Sequence, residues 1–483
     1  MPDSLTGIQP YIQRNVWLSF DRHHAKIQAV VMFDNLRARF QFDRPLAYAL
    51  LTRLWQAASG PITILLLIRS LDLSEQGVYY GIIGIVGIQA YFELGLLNVL
   101  VSQSGHETAA LNKLEACSKE ESGQESDPAW LATAARMRDL IRDSFRWFSA
   151  ASILYVIAAL VFGWYSLSDS EVAWRGPLLV LVPIAAISVC LSPGLSILEG
   201  AGFRAAIFRF RFLQMVIGSV VMWVSLEIGL KLWALVLSSS VQALMFMYIT
   251  FVGQAKFFQR FRRIKGQPSD FDWIHQVLPV QWRVALIGAS FHFATQFFTV
   301  IVLMFHSDAD AAPLGMTLSV TTAIQMLALA WVQTQYPVIS LHHGSGEREK
   351  AGTIWRRTAI LSTVLLVTGF SVLTVAVSCL PWLGKNYEAR FIEPWQVAVL
   401  GLGCLASHIA TVQGYYVLAR RANPLLAASL IGSIATSAAV WMGGYYYSTD
   451  GVVIGYAAAM CLVLAPVHTY AYARFRRESG TQG

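Results

Sequence analysis

Charge is what this sequence has least of. Asp, Glu, Lys and Arg make up 13% of its 483 residues while 55% are apolar, against about 25% charged in soluble globular domains. That balance excludes a chain of solvated domains joined by polar linkers. Cysteine is equally sparse: Cys117, Cys190, Cys379, Cys404 and Cys461 lie far apart, and four of them fall inside apolar runs. They form neither a disulfide framework nor a metal motif. The Gly-x-x-x-x-Gly-Lys-Ser/Thr loop that cradles nucleotide phosphates is missing, which disfavours an ATP-driven pump, and no cofactor is expected. Residues 1–43 are polar and mixed in charge, without the short apolar core and small-residue cleavage site of a signal peptide. The first apolar run, at Pro45, is therefore expected both to target the chain and to span the membrane.

What is present is a succession of apolar runs from Pro45 to Ala473. At about 20 residues per crossing of the hydrocarbon, breakers divide them into twelve predicted spans: 45–68, 78–103, 147–165, 177–198, 208–228, 232–253, 279–305, 314–341, 357–380, 395–417, 424–446 and 451–473. Of the 36 Lys and Arg residues, five (Arg69, Arg175, Lys231, Lys385 and Arg390) lie on one set of alternate connections and one, Arg53, lies within the first span. The other 30 lie on the opposite set, which includes both termini. The positive-inside rule then places both termini in the cytoplasm. The net charge of +7 reads as topology, and no nucleic-acid partner is expected. The outward loops are short, which weighs against a membrane-embedded glycan-modifying enzyme, since such chemistry needs an ordered outer domain.

The two halves echo each other. Arg44 and Arg53 are nine residues apart at the start of span 1, and Arg283 and His292 are nine apart at the start of span 7. Gly77 opens the second span and Gly315 the eighth; Gly218-Ser219 is matched by Gly432-Ser433, and Gly229 by Gly443. The first half carries extra residues in one polar stretch, Gly105–Arg146. Six spans per half is an even number, so the repeat is parallel, related by an axis along the membrane normal. The expected fold is all-α: about twelve transmembrane helices in two parallel six-helix lobes. The expected divisions are a cytoplasmic tail (1–43), an N-lobe (44–255, with the insertion 105–146), a basic linker (256–272), a C-lobe (273–474) and a cytoplasmic tail (475–483).

The stretch from Arg53-Leu54-Trp55 through Arg69-Ser70-Leu71-Asp72 to Gly77-Val78-Tyr79-Tyr80 resembles the opening of polysaccharide-biosynthesis and O-antigen flippases, the Wzx-like branch of the multidrug/oligosaccharidyl-lipid/polysaccharide (MOP) superfamily. Phe92-Glu93-Leu94-Gly95-Leu96 and Ser104-Gly105-His106-Glu107 are similar to the family's second helix and its exit. The resemblance is clearest over residues 45–110; beyond them it rests on the two-lobed, MATE-like plan. It implies transfer of an undecaprenyl-pyrophosphate-linked oligosaccharide across the bacterial inner membrane by alternating access. The long insertion and the polar N-terminal tail depart from the family pattern.

An intramembrane charge is a functional candidate by default, because placing it there costs at least about 2.5 kcal/mol. Arg53 lies about 13 Å past the basic edge of span 1 at 1.5 Å per residue. Its planar fork suits the oxygens of a pyrophosphate, and His292 occupies the matching place in the C-lobe. Glu93 offers two alternatives: a structural ion pair with Arg53, or a carboxylate that couples transport to a proton or Na⁺. Gln89, Gln325 and Gln333 need internal partners in a bilayer and are expected along a hydrated sugar path. Gly60-Pro61 and Pro337 are expected hinges, since proline removes a helix hydrogen bond. The insertion reads as an acidic turn followed by an interfacial amphipathic helix over 130–145, and a glycan-assembly protein is the partner that would dock there. A multidrug exporter of the same superfamily is the alternative function; no Asp in the first six spans is placed to couple it, and Arg53 would disfavour cationic drugs.

Overall fold

The computed structural model describes residues 44–93, 95–117, 128–264, 271–273, 296–344, 347–383, 385–420 and 425–480. Among them there is no β-strand. The elements of the first half are α1 (Arg44–Ser70), α2 (Leu73–Val86), α3 (Gln89–Glu93), α4 (Leu96–Cys117), α5 (Pro128–Ser166), α6 (Arg175–Gly200), α7 (Arg204–Glu227), α8 (Trp233–Tyr248, ending in a π-turn, Ile249–Gly253) and α9 (Ala255–Arg262). The second half has α10 (Phe298–Phe305), α11 (Asp308–Gly344), α12 (Arg348–Cys379), α13 (Lys385–Glu388), α14 (Pro394–Ala419), α15 (Leu426–Ala459) and α16 (Ala465–Gly480). Nine helices among the described residues are long and apolar enough to cross a bilayer, and the bent pair Leu73–Glu93 with Leu96–Ala116 makes a tenth.

The difference from twelve has local causes. Span 7 lies largely outside the described residues, which show its end as α10. Spans 11 and 12 run together as one assigned helix, yet Tyr447 and Ser448 leave helical backbone angles, Ser448 with φ +53°. The chain turns back there. A Cβ on Gly443 or Gly451 would strike the backbone of the other, and one on Gly455 would lie 2.6 Å from the Ala439 carbonyl oxygen. The two legs are thus an antiparallel hairpin with backbones in contact, the close approach that small residues permit between membrane helices.

Span 2 is broken by about 40°. α2 ends at Gly87, and α4 begins after Gly95, whose φ of +69° suits a residue without a Cβ. By contrast α1 runs unbroken through Gly60 and Pro61, and α11 through Pro337. The Ser59 and Thr63 hydroxyls bond to carbonyls one turn back, at 3.4 and 2.9 Å.

The insertion corrects an expectation. Its amphipathic segment is the first part of α5, a helix of 39 residues and so about 58 Å long, nearly twice the hydrocarbon thickness of about 30 Å. Its apolar face is not laid on lipid. Trp130, Ala134, Met137 and Leu140 are buried against Leu96, Leu100 and Leu111 of α4 and Phe261 of α9. Arg136–Glu107 and Arg260–Glu115, each at 2.7 Å, bind the rim. An isolated amphipathic stripe needs a surface to cover it, and α4 supplies one.

Within the first half α5, α6, α4, α8, α7 and α1 pack on one another, and within the second α11, α12, α14, α15 and α10 do the same. The halves meet chiefly where α2 lies along the first part of α11 and against α10. Gln76 Nε2 donates to the Ala312 carbonyl at 3.0 Å, Tyr80 Oη donates to Met316 Sδ at 3.1 Å, and Ser170 Oγ donates to Asp308 Oδ2 at 2.5 Å. All three lie at the end poor in basic residues, that of Arg69, Lys231 and Arg390. The matched glycines sit in this seam: a Cβ on Gly77 would strike the Asp308 backbone, and one on Gly315 would strike Tyr80. Toward the basic end the later part of α11 bonds to its own half instead, its Ala328 carbonyl accepting from Ser362 Oγ at 2.6 Å and Ser340 Oγ donating to the Ala419 carbonyl at 3.2 Å.

Candidate functional site

α1 is held to α7 by two tryptophans. Trp55 Nε1 donates to Ser219 Oγ at 3.2 Å, Trp223 Nε1 donates to Thr63 Oγ1 at 2.8 Å, and the two rings lie 5.9 Å apart. This contact aims the next face of α1 into a cavity of about 720 Å³ between α1, α7 and α8. Thr52, Arg53 and Gln56 line it from α1, Arg211 and Gln214 from α7, and Gln242 from α8. A volume of this size falls within the range of about 300–1,000 Å³ of small-molecule sites.

Arg53 is half-buried there. Its Nη1 donates to Gln56 Oε1 at 3.1 Å, and Met326 Sδ of α11 lies 4.0 Å away. Among the described residues it makes no ion pair. Arg211, the other cation of the cavity, is neutralised by Glu199 at 2.9 Å. Among the described residues the site therefore holds one cation without an ion-pair partner, Arg53, amid amide and hydroxyl side chains. The structure excludes the Arg53–Glu93 ion pair as a helix-to-helix link. Glu93 ends α3, which packs on α5 and α6, whereas α1 packs on α7. Glu93 is half-buried and makes no hydrogen bond or ion pair among the described residues.

The remaining sequence candidates are dispersed. Gln89 is half-buried on α3. Gln325 reaches the Cys404 thiol inside the second half. Gln333 is exposed and donates to Tyr415 Oη at 3.1 Å. None of the three lines the Arg53 cavity, and His292 lies outside the described residues. Gln56, Gln214 and Gln242 are the amides that do line it; sequence reasoning passed over all three, although Gln214 and Gln242 are amides in apolar helices, the signal that singled out Gln89.

Arg390 also emerges only from the structure. From the connection before α14 it crosses to the first half, where Nη2 donates to the Leu71 carbonyl at 2.7 Å and Nη1 to the Asp72 carbonyl at 3.2 Å and to Gln76 Oε1 at 2.8 Å. The end poor in basic residues is thus closed by a fork of hydrogen bonds beside the glycine seam.

No family model matches the chain, and comparison with curated proteins gives no match. Solved structures do match in fold. An inward-facing multidrug resistance MATE family transporter of the MOP superfamily superposes with a TM-score of 0.59 at 14% identity, over 87% of this chain and 99% of its own. The lipid II flippase MurJ, in an inward closed conformation, gives 0.58 at 12% identity, over 88% of this chain and 87% of its own. An outward-facing multidrug resistance MATE transporter gives a lower 0.51 at 14% identity, over 90% and 97%. The chain is a polytopic, all-helical membrane protein with the fold these transporters and the flippase share.

Proposed function

We propose that this protein flips an undecaprenyl-pyrophosphate-linked oligosaccharide across the bacterial inner membrane for surface polysaccharide synthesis, by alternating access of its two lobes, as in the Wzx-like branch it resembles. The observation that carries the reading is Arg53: a guanidinium with no ion-pair partner among the described residues, in a polar cavity close to α11 of the other lobe. A pyrophosphate is the most charged part of such a lipid and fits the planar fork. Gln56, Gln214 and Gln242 offer donors and acceptors to sugar hydroxyls, with His292, Gln89, Gln325 and Gln333 as later contacts along the path. With the basic face in the cytoplasm, both termini are cytoplasmic and the seam at Gly77 and Gly315 closes the outer side. Glu93, which has no ion-pair or hydrogen-bond partner among the described residues, is the residue we assign to coupling by a proton or Na⁺.

Deleting the gene tests the reading. Lipid-linked glycan should accumulate on the inner leaflet and return to normal when the chain is supplied in trans. Unchanged glycan together with new drug sensitivity would favour the second reading, a cation-coupled multidrug exporter, which the MATE likeness and the half-buried carboxylate of Glu93 support.

A further inference from the structure

A second cavity, of about 610 Å³, opens at the basic end of the first half, enclosed by α5, α6, the π-turn and α9. Phe145, Leu191, Phe251 and Phe258 form its walls, while Arg138, Arg142 and Arg262 stand among its lining residues. Apolar walls with cations at the interfacial end have the polarity profile of an amphiphile. The arginines are not equivalent. Arg138 is tied to Asp139 at 2.9 Å and to the Ile264 carbonyl at 3.0 Å, and Arg142 to Asp139 and Asp143 at 3.0 and 2.8 Å. Arg262, in the last turn of α9, makes no ion pair among the described residues and is exposed.

The interior of the cavity asks for a polar atom. Thr250 lines it and is 5% exposed, yet its hydroxyl has no hydrogen-bond partner among the described residues. In an α-helix a threonine hydroxyl bonds back to the carbonyl one turn earlier. Thr250 sits instead in the π-turn, a form often found at functional sites. Behind it the wall is bare backbone: a Cβ on Gly194 would lie 3.3 Å from both Thr250 Oγ1 and Phe145 Cζ. Phe251, 65% exposed, leads from the cavity outward to the lipid-facing surface.

We propose that this cavity binds an anionic phospholipid from the leaflet at the basic face. Arg262, with Arg142 beside it, takes the phosphate; one acyl chain enters among Phe145, Leu191 and Phe258; and Thr250 donates to an ester carbonyl. Because Asp139 and Asp143 offset Arg138 and Arg142, the preference for a net negative head group rests on Arg262. One basic residue near a membrane surface is worth about fivefold in affinity.

Native mass spectrometry of the full chain in detergent, with phosphatidylglycerol and phosphatidylcholine of identical acyl chains, tests the site. The protein should retain one phosphatidylglycerol about fivefold more tightly than phosphatidylcholine. Arg262→Gln should bring that ratio to about one, and Arg356→Gln, an exposed basic-face residue of the other lobe, should leave it unchanged. Thr250→Val, nearly the same in shape, should weaken both lipids alike. Equal retention of the two lipids by the unaltered protein, or an unchanged ratio in Arg262→Gln, overturns the proposal. So does an equal loss of preference in Arg356→Gln, which would mark general surface charge rather than a site.

Discussion

Arg390 donates across the lobe boundary to the carbonyl of Leu71, at 2.7 Å. Leu71 stands just past the end of α1, where unpaired carbonyls give a helix its negative pole. The next residue, Asp72, starts α2 with a capping box: its carboxylate accepts from Glu75 N at 2.7 Å, and Glu75 Oε2 accepts from Asp72 N at 3.1 Å. One guanidinium of the second half therefore grips a corner made rigid by the first.

Removing that grip should loosen the closed end. Hydrogen bonds to a charged donor contribute about 1.5–3 kcal/mol each when buried, but Arg390 is partly solvated, so about 2 kcal/mol in all is expected, or about thirtyfold in the closed-to-open ratio. Spin labels replacing Asp169 and Glu388, one in each half, should show a longer distance population in Arg390→Ala. Arg390→Lys should behave nearly as Ala does, because a point charge cannot serve carbonyl and amide at once. Identical distance distributions in all three proteins would remove the latch role.

The glycine seam gives a second test at the same end. Gly315 has no room for a Cβ against Tyr80, and overpacking of this kind costs about 1–3 kcal/mol. Gly315→Ala should therefore lower thermal stability in detergent by several degrees. Adding Tyr80→Ala removes the obstructing ring, so the double-mutant cycle should show a favourable interaction energy of about 1 kcal/mol or more. Strict additivity would mean that Gly315 and Tyr80 do not share the contact.

Long-range order was legible because it depends on summed composition. Apolar runs and the placement of basic residues pointed to a polytopic, all-helical chain, and the breaks at Tyr447 and Ser448 fell where spans 11 and 12 were divided. What sequence could not supply was rotation. Whether a polar residue of one helix shares a cavity with that of another depends on which faces pack, and Trp55 and Trp223 turn Arg53 toward Gln214 and Gln242, away from the glutamines of α11. The bend of span 2 was missed for a related reason: Gly95 is one of many glycines in apolar helices, and nothing local marks it as the one with positive φ. Arg390 was counted only as a topological charge, since its carbonyl partners lie more than 300 positions earlier and carry no side-chain signature.

A surface pair fixes the turn between α7 and α8. Lys231, in a left-handed conformation with φ +48°, bonds to Glu75 of α2. That hydrogen bond raises the Lys231 amine above its ordinary value of 10.5. A group whose pKa is higher folded than unfolded stabilises fully below the unfolded value and loses that contribution as pH rises through the folded one. Lys231→Met should therefore lower the melting temperature by similar small amounts at pH 6 and pH 9. The two proteins should converge only as pH rises past the ordinary lysine value of 10.5, through the raised pKa of the folded state. A difference that grows between pH 6 and pH 9 would contradict the assignment.

The sharpest prediction concerns Arg53. Removing one member of a buried ion pair costs about 3–5 kcal/mol and mimics loss of function through misfolding. Arg53 has no such partner among the described residues, so Arg53→Gln should leave expression and melting temperature close to those of the unaltered protein while abolishing complementation of a deletion strain. Arg53→Lys keeps the charge but loses the fork, and should retain partial activity with weaker binding of a pyrophosphate-bearing lipid. The charge swap Arg53→Glu with Glu93→Arg should fail to recover transport. Recovery would mean that the two residues interact at some point of the cycle, and would return Arg53 to a structural role. Binding separates the two cases without reference to transport: in the purified protein, inorganic pyrophosphate should protect against thermal unfolding, and Arg53→Gln should lose that protection while its melting temperature without ligand stays the same.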